Sequence, residues 1–165
     1  VYPYIQRVFE LVNIGYAPLY GVVELDEAQI KRYVAKFLPM INMDYTCFVM
    51  DEKERMVAFG VCAPSMEAAF QASRGRLFPT GFLGVLRSMR HNDTLDMFLT
   101  AVRPEYQGLG VNAIVMDTLL QGAIRNGIRY AETGPMLEYN DKIHSQFRFF
   151  DMEQHKRRRC YIKEL

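Results

Sequence analysis

Residues 94–113 read Thr-Leu-Asp-Met-Phe-Leu-Thr-Ala-Val-Arg-Pro-Glu-Tyr-Gln-Gly-Leu-Gly-Val-Asn-Ala, a strand, a glycine turn and a helix start in succession. The first N–H groups of a helix have no partner within it, so such a junction is an anion site. Gly108 and Gly110 carry no Cβ, which lets a phosphate approach the backbone closely. A pyrophosphate is the guest that suits this chemistry, and a plain strand-to-helix turn is the alternative. A Walker loop is excluded, because Val111-Asn112 stands where Lys-Ser or Lys-Thr would be needed. A dinucleotide fingerprint fits as Gly108-x-Gly110-x-x-Ala113 with Glu132 about twenty residues on. In that fingerprint, however, the glycines follow the strand directly, whereas here five residues including Pro104 intervene.

The elements around this junction follow from hydrophobic spacing. Ile5, Val8, Phe9, Leu11 and Val12 predict a helix over 3–12, stopped by Gly15 and Pro18. Asp26 with Gln29 forms a capping box that opens a second helix, whose buried stripe is Ile30, Val34, Phe37 and Leu38. Residues 45–50 and 56–62 make a hairpin about the polar turn at 51–54. Helices are expected at 66–73 and 82–89, and a strand at 94–102. A helix is expected at 111–126, with Gly127 as its stop. A strand at 128–133, a helix at 140–151 and a closing strand at 158–162 complete the order. Together these predict a mixed α/β fold, a central mixed sheet with helices on both faces, as one domain over residues 1–165.

Composition narrows the setting. The chain has 165 residues, half of them hydrophobic, a formal net charge of +1, three cysteines and no tryptophan. That is too apolar for a disordered segment and too balanced for a charged tail. No apolar run reaches transmembrane length, so no membrane partner is expected. Cys47, Cys62 and Cys160 are odd in number and lack metal-type spacing, which suits small apolar strand positions in a reducing cytoplasm. His155-Lys156-Arg157-Arg158-Arg159 is the one dense basic run. Strand alternation splits it between two faces, so it reads as a solvated strand and nucleic acid is not an expected partner.

The stretch from Val102 through Pro104-Glu105-Tyr106 to Gln107-Gly108-Leu109-Gly110-Val111-Asn112 resembles the pyrophosphate loop of the GCN5-related N-acetyltransferase (GNAT) superfamily. Asn112 departs from that pattern, which has Gly or Ala in the last place. Downstream, Asn140 at a helix start, an aromatic residue at Phe147 and the basic strand ending in Tyr161 continue the resemblance. The first strand of the family layout is missing or precedes Val1. The resemblance is to the last part of a longer bacterial protein.

The resemblance implies an acyl-CoA N-acyltransferase fold, acetyl-CoA or another acyl-CoA as cofactor, and a primary amine as acceptor. Gln107, Gly108, Leu109, Gly110, Val111 and Asn112 would face the pyrophosphate, and Asn140 would also serve the cofactor. The backbones of Thr100, Ala101 and Val102 would pair with the pantetheine arm. Transfer is direct: the amine loses a proton and attacks, and the leaving thiolate gains one. Asp96 is the first candidate base, on a strand face expected to carry Asp96, Phe98 and Thr100 together. Glu132 is the second. Each also reads as an ordinary ion-pair or turn residue. The resemblance would put a proton-donating tyrosine where this chain has Phe147. A domain that keeps the fold but serves binding or regulation is therefore the alternative function, and a nucleotide-binding module is a third.

Overall fold

The apolar run Met56–Pro64 is buried from end to end, as befits the middle of a sheet covered on both faces. The structure, a computed structural model, describes residues 2–163. Two compact units divide the chain, Val1–Glu132 and Thr133–Leu165.

The first unit opens with α1 (Tyr2–Tyr16) and α2 (Glu27–Phe37). β1 (Thr46–Met50) and β2 (Met56–Pro64) follow as an antiparallel hairpin. Next come α3 (Glu67–Ala72) and α4 (Gly81–Arg90), then β3 (Thr94–Val102), antiparallel to β2. α5 (Val111–Arg125) crosses to β4 (Tyr130–Thr133), and the strand order is β1-β2-β3-β4. The N–H groups of Arg129 and Tyr130 both donate to Asp93 O (2.7 and 2.9 Å), just before β3 begins. β3 and β4 thus start side by side and run parallel, giving the expected mixed sheet.

Each face of the sheet has its own core. On one, Val115, Leu119 and Ala123 of α5 pack on Tyr45, Cys47, Ala58, Cys62 and Leu95. On the other, Leu11 and Val12 of α1 pack on Met56, Phe59, Val61 and Ala101. Two glycines set the depth of α5. A Cβ on Gly60 of β2 would lie 2.6 Å from Val115 Cγ1, and one on Gly122 of α5 would lie 1.8 Å from the carbonyl oxygen of Asp44. The Asp26 capping box forms as expected: Asp26 Oδ1 accepts from Gln29 N at 2.7 Å, and Asp26 N donates to Gln29 Oε1 at 3.0 Å. The expected burial of the α2 stripe does not occur, since no residue of α2 is fully buried. Its apolar side instead forms an aromatic rim, Tyr33 on Phe37 at 6.1 Å and Phe37 on Phe98 at 6.2 Å.

The second unit corrects two expectations. Its helix, α6 (Asp141–Gln146), stops five residues short of Asp151. The aromatic run that follows has poor helix propensity, and Phe147 packs on Phe150 (6.2 Å) across a turn closed by Phe150 N donating to Phe147 O. The expected strand at 158–162 has no regular structure. Tyr161 and Ile162 are its apolar candidates and both lie open to solvent, so nothing drives it into a sheet. Within this segment Arg157 reaches Glu138 at 2.6 Å.

Candidate functional site

The exit of β3 is fixed before the glycine turn begins. Arg103 N donates to Val57 O (2.8 Å), its Nε donates to Met56 O (2.8 Å), and its guanidinium pairs with Glu10 (2.6 Å). Pro104–Tyr106 then make a short 3-10 turn. The Tyr106 hydroxyl donates to Asp51 Oδ2 (3.2 Å) in the hairpin turn and accepts from Arg55 (3.3 Å). Arg55 also reaches Glu105 at 3.5 Å. The backbone N–H of Arg55 is the main influence holding the Asp51 carboxyl below the usual carboxylate range, helped by the Arg55 side chain, Lys53 N–H and the Tyr106 hydroxyl. The turn ahead of the loop is thereby tied to the β1–β2 hairpin.

The loop itself is exposed from Gln107 to Gly110. Gly108 and Gly110 have φ of +78° and +80°, a conformation that L side chains rarely adopt, and a Cβ at either would meet nothing within 4 Å. Gly110 is the N-cap of α5 and no side chain caps the helix start. Ala113 N and Ile114 N turn back to Gly110 O (2.9 and 3.4 Å). The N–H groups of Val111 and Asn112 come too early in the helix for intrahelical acceptors. The result is an exposed row of backbone donors at the positive end of a 15-residue helix. Such a row suits a diphosphate, and the space a Cβ would fill is open to it.

Two edge carbonyls of β3 lead up to the loop, and both are capped. Arg103 and Ala101 face β2, so Thr100 and Val102 present their backbones to the opposite edge. Val102 O accepts from Gln107 Nε2 at 3.2 Å, which turns the Gln107 carboxamide back onto the strand. Thr100 O accepts from the Tyr16 hydroxyl at 2.9 Å. The short β4 runs beside the start of β3.

The expected common face for Asp96, Phe98 and Thr100 is overturned by a β-bulge. Val61 pairs with Leu99 and Cys62 with Met97, leaving Phe98 as the extra residue. Leu95 and Met97 pack on the α5 side, and so does Val102, while Ala101 packs on the α1 side. The inside-outside parity therefore switches at Phe98. Asp96 and Phe98 lie on the α1/α2 face, Phe98 against Phe37, and Thr100 shares its side with Val102. Asp96 stands opposite Ala63 and is half-buried. Glu132, also half-buried, lies two residues along β4 from the Asp93–Tyr130 contact, so the two carboxylates sit on adjacent strands.

Thr100, Ala101, Val102, Gln107 and the row from Gly108 to Asn112 are thus one continuous track. Asn140 belongs to the second unit, where its side chain caps α6 by accepting from Ile143 N (3.3 Å). Sequence reasoning passed over Tyr16, whose position at the end of a helix gave no sign of a contact 84 residues away. It also passed over the Asp51–Arg55–Tyr106 tie. An acidic residue, an arginine and a tyrosine at such separations leave no local pattern.

The sequence matches no protein-family model and no curated protein. Solved structures do resemble the fold. An aminoglycoside antibiotic 6'-N-acetyltransferase from Acinetobacter haemolyticus superposes with a TM-score of 0.60 at 12% identity, over 100% of this chain and 95% of that one. Glucosamine-6-phosphate N-acetyltransferase from Arabidopsis thaliana gives 0.57 at 12% identity, over 96% and 94%. A GNAT family acetyltransferase from Brucella melitensis, solved in complex with acetyl-CoA, gives 0.54 at 10% identity, over 86% and 75%. The chain shares its fold with these acetyltransferases.

Proposed function

We propose that this chain is an acyl-CoA-dependent N-acetyltransferase that moves an acetyl group from acetyl-CoA to a primary amine. The observation that carries this reading is the uncapped start of α5 behind two positive-φ glycines with open Cβ positions. It is supported by the fold, which the chain shares with acetyltransferases, one of them holding acetyl-CoA.

In this reading the amides of Gly108, Leu109, Gly110, Val111 and Asn112 receive the pyrophosphate. Along Thr100, Ala101 and Val102 the pantetheine arm is taken by the edge N–H groups of Thr100 and Val102, since their carbonyls are already capped and Ala101 faces β2. Gln107 braces the loop from behind. Asn140, in the second unit, is the remaining residue that the family resemblance assigns to the cofactor. When bound, the acyl-CoA supplies a thioester carbonyl open to attack by an amine. Asp96, on the α1/α2 face, takes the amine's proton directly or through one water, and Glu132 on the neighbouring strand is the other base. The acyl-CoA and the amine are the two partners, and the reducing cytoplasm suggested by the cysteines is the setting.

A second reading has a specific observation in its favour. Phe147 has no proton to give and packs on Phe150, so a domain that binds acyl-CoA without transferring the acyl group keeps every feature of the loop. Calorimetric titration with acetyl-CoA, followed by thiol release across amines such as an aminoglycoside and glucosamine 6-phosphate, separates the two. Binding with thiol release supports the enzyme. Binding without release across the panel favours the silent domain. No heat at millimolar acetyl-CoA sinks both.

A further inference from the structure

Acyl transfer leaves a thiolate that needs a proton, and Phe147 cannot supply it. Tyr16 is the last residue of α1, and its hydroxyl sits on the β3 edge at Thr100 O, 2.9 Å away. It is brought there by close packing: a Cβ on Gly15 would lie 3.2 Å from Ala101 Cβ, and Leu11 and Val12 anchor the same helix in the core. Thr100 lies between the bulge at Phe98 and the glycine loop. In the acetyl-transfer reading the arm runs back from a pyrophosphate at Gly108–Asn112 past Val102, along the strand edge on which this hydroxyl stands. Four other tyrosines of the first unit are placed elsewhere. Tyr106 is held by Asp51 and Arg55, Tyr45 lies in the α5-side core, and Tyr20 and Tyr130 are exposed.

We infer that Tyr16 is the proton donor to the departing thiol, an assignment that rests on the acetyl-transfer reading above. The resting phenol keeps its proton on Thr100 O. As the carbon–sulfur bond breaks, its electron pair goes to sulfur, and the Tyr16 O–H gives its proton to that sulfur. The attacking amine is the neutral base, its ammonium proton having gone to solvent. Asp96 takes one proton from the nitrogen as the new amide forms, and that proton passes through water to the phenolate. One proton thus leaves the nitrogen and one ends on the thiol, and no further reagent is needed. Burial pushes the phenol above its ordinary range, outweighing the bond to Thr100, so the donor is fully protonated at neutral pH.

Tyr16→Phe keeps the ring that α1 packs and removes only the hydroxyl. Two measurements test the assignment in the full chain. In calorimetry, the native chain is expected to bind coenzyme A about 2- to 10-fold more tightly than desulfo-coenzyme A, the worth of one hydrogen bond to sulfur. Tyr16→Phe is expected to lose that preference. In turnover, read as thiol release with the amine panel or with water as acceptor, Tyr16→Phe is expected to fall about 100-fold or more in kcat. Its KM for acetyl-CoA should stay within about twofold, and Tyr45→Phe should show neither change. If Tyr16→Phe retains both the sulfur preference and kcat, the assignment is overturned. Acetyl-CoA binding with no thiol release from the native chain also overturns it and leaves cofactor binding standing. No acetyl-CoA binding at all refutes the acetyl-transfer reading instead.

Discussion

Gly110 concentrates the chemistry of the loop in one backbone angle. Its φ of +80° aims the start of α5 at open space, and a branched side chain there meets both an unfavourable conformation and the place reserved for phosphate. Gly110→Val is therefore expected to raise the dissociation constant for acetyl-CoA at least tenfold, while thermal stability falls by about 1–2 kcal/mol. Calorimetry and a melting curve give the two numbers, and unchanged affinity would refute the loop assignment. Asp96 makes the opposite kind of prediction. Asp96→Asn keeps shape and removes basicity, so kcat should drop by about 100-fold or more with acetyl-CoA affinity retained. A loss confined to affinity would remove Asp96 from the role of base.

At the scale of elements, α5 is the part that holds the loop, and two absent methyl groups decide how closely it seats. Gly122 lies so near Asp44 O that any Cβ must push the helix off the turn before β1. Gly122→Ala is expected to cost about 1–3 kcal/mol by overpacking, despite alanine's better helix propensity. Denaturant unfolding measures it, and a stabilised variant would contradict the seating. Much of this was readable in advance. Strand β3 starts and ends where its apolar run does, the Asp26 box forms, and Gly127 closes α5 with a φ of +71° and Ile128 N bonded to Ala123 O. These are local signals, carried by neighbours in the chain. The bulge at Phe98 was not readable, because it is a property of the pairing with β2 and leaves no mark in the β3 sequence. The strand expected at 158–162 failed for the converse reason. Its alternation was present, but its apolar residues Tyr161 and Ile162 stay exposed, and alternation that buries nothing has no partner to reward it. The track from Thr100 to Asn112 was legible because loop chemistry is contiguous. Tyr16 was not, because tertiary packing alone brings it to β3.

For the whole molecule, the two-sided core makes the buried thiols reporters of global opening. Cys62 lies in the central strand, and burial pushes its thiol up to about 11. The folded chain thus keeps a proton that the unfolded chain loses nearer its ordinary value. Stability from this group is complete below about pH 9 and declines as pH rises towards 11. Cys160 is exposed whereas Cys47 and Cys62 are buried. A disulfide reagent at neutral pH should find Cys160 at once, and the other two only at the rate of global unfolding. Rapid reaction of all three in the native chain would mean that the sheet opens locally.

The extra residue in β3 also bears on how this gene can change length. Removing Phe98 alone would make Met97 and Leu99 neighbours, as their partners Cys62 and Val61 already are, so the pairs on both sides of the bulge would keep their faces. Leu95 and Met97 would stay in the α5 core, and Asp96 would stay on the other face. A one-codon deletion there should therefore be tolerated about as well as the loss of the phenylalanine ring by substitution, whose contact with Phe37 is what both changes remove.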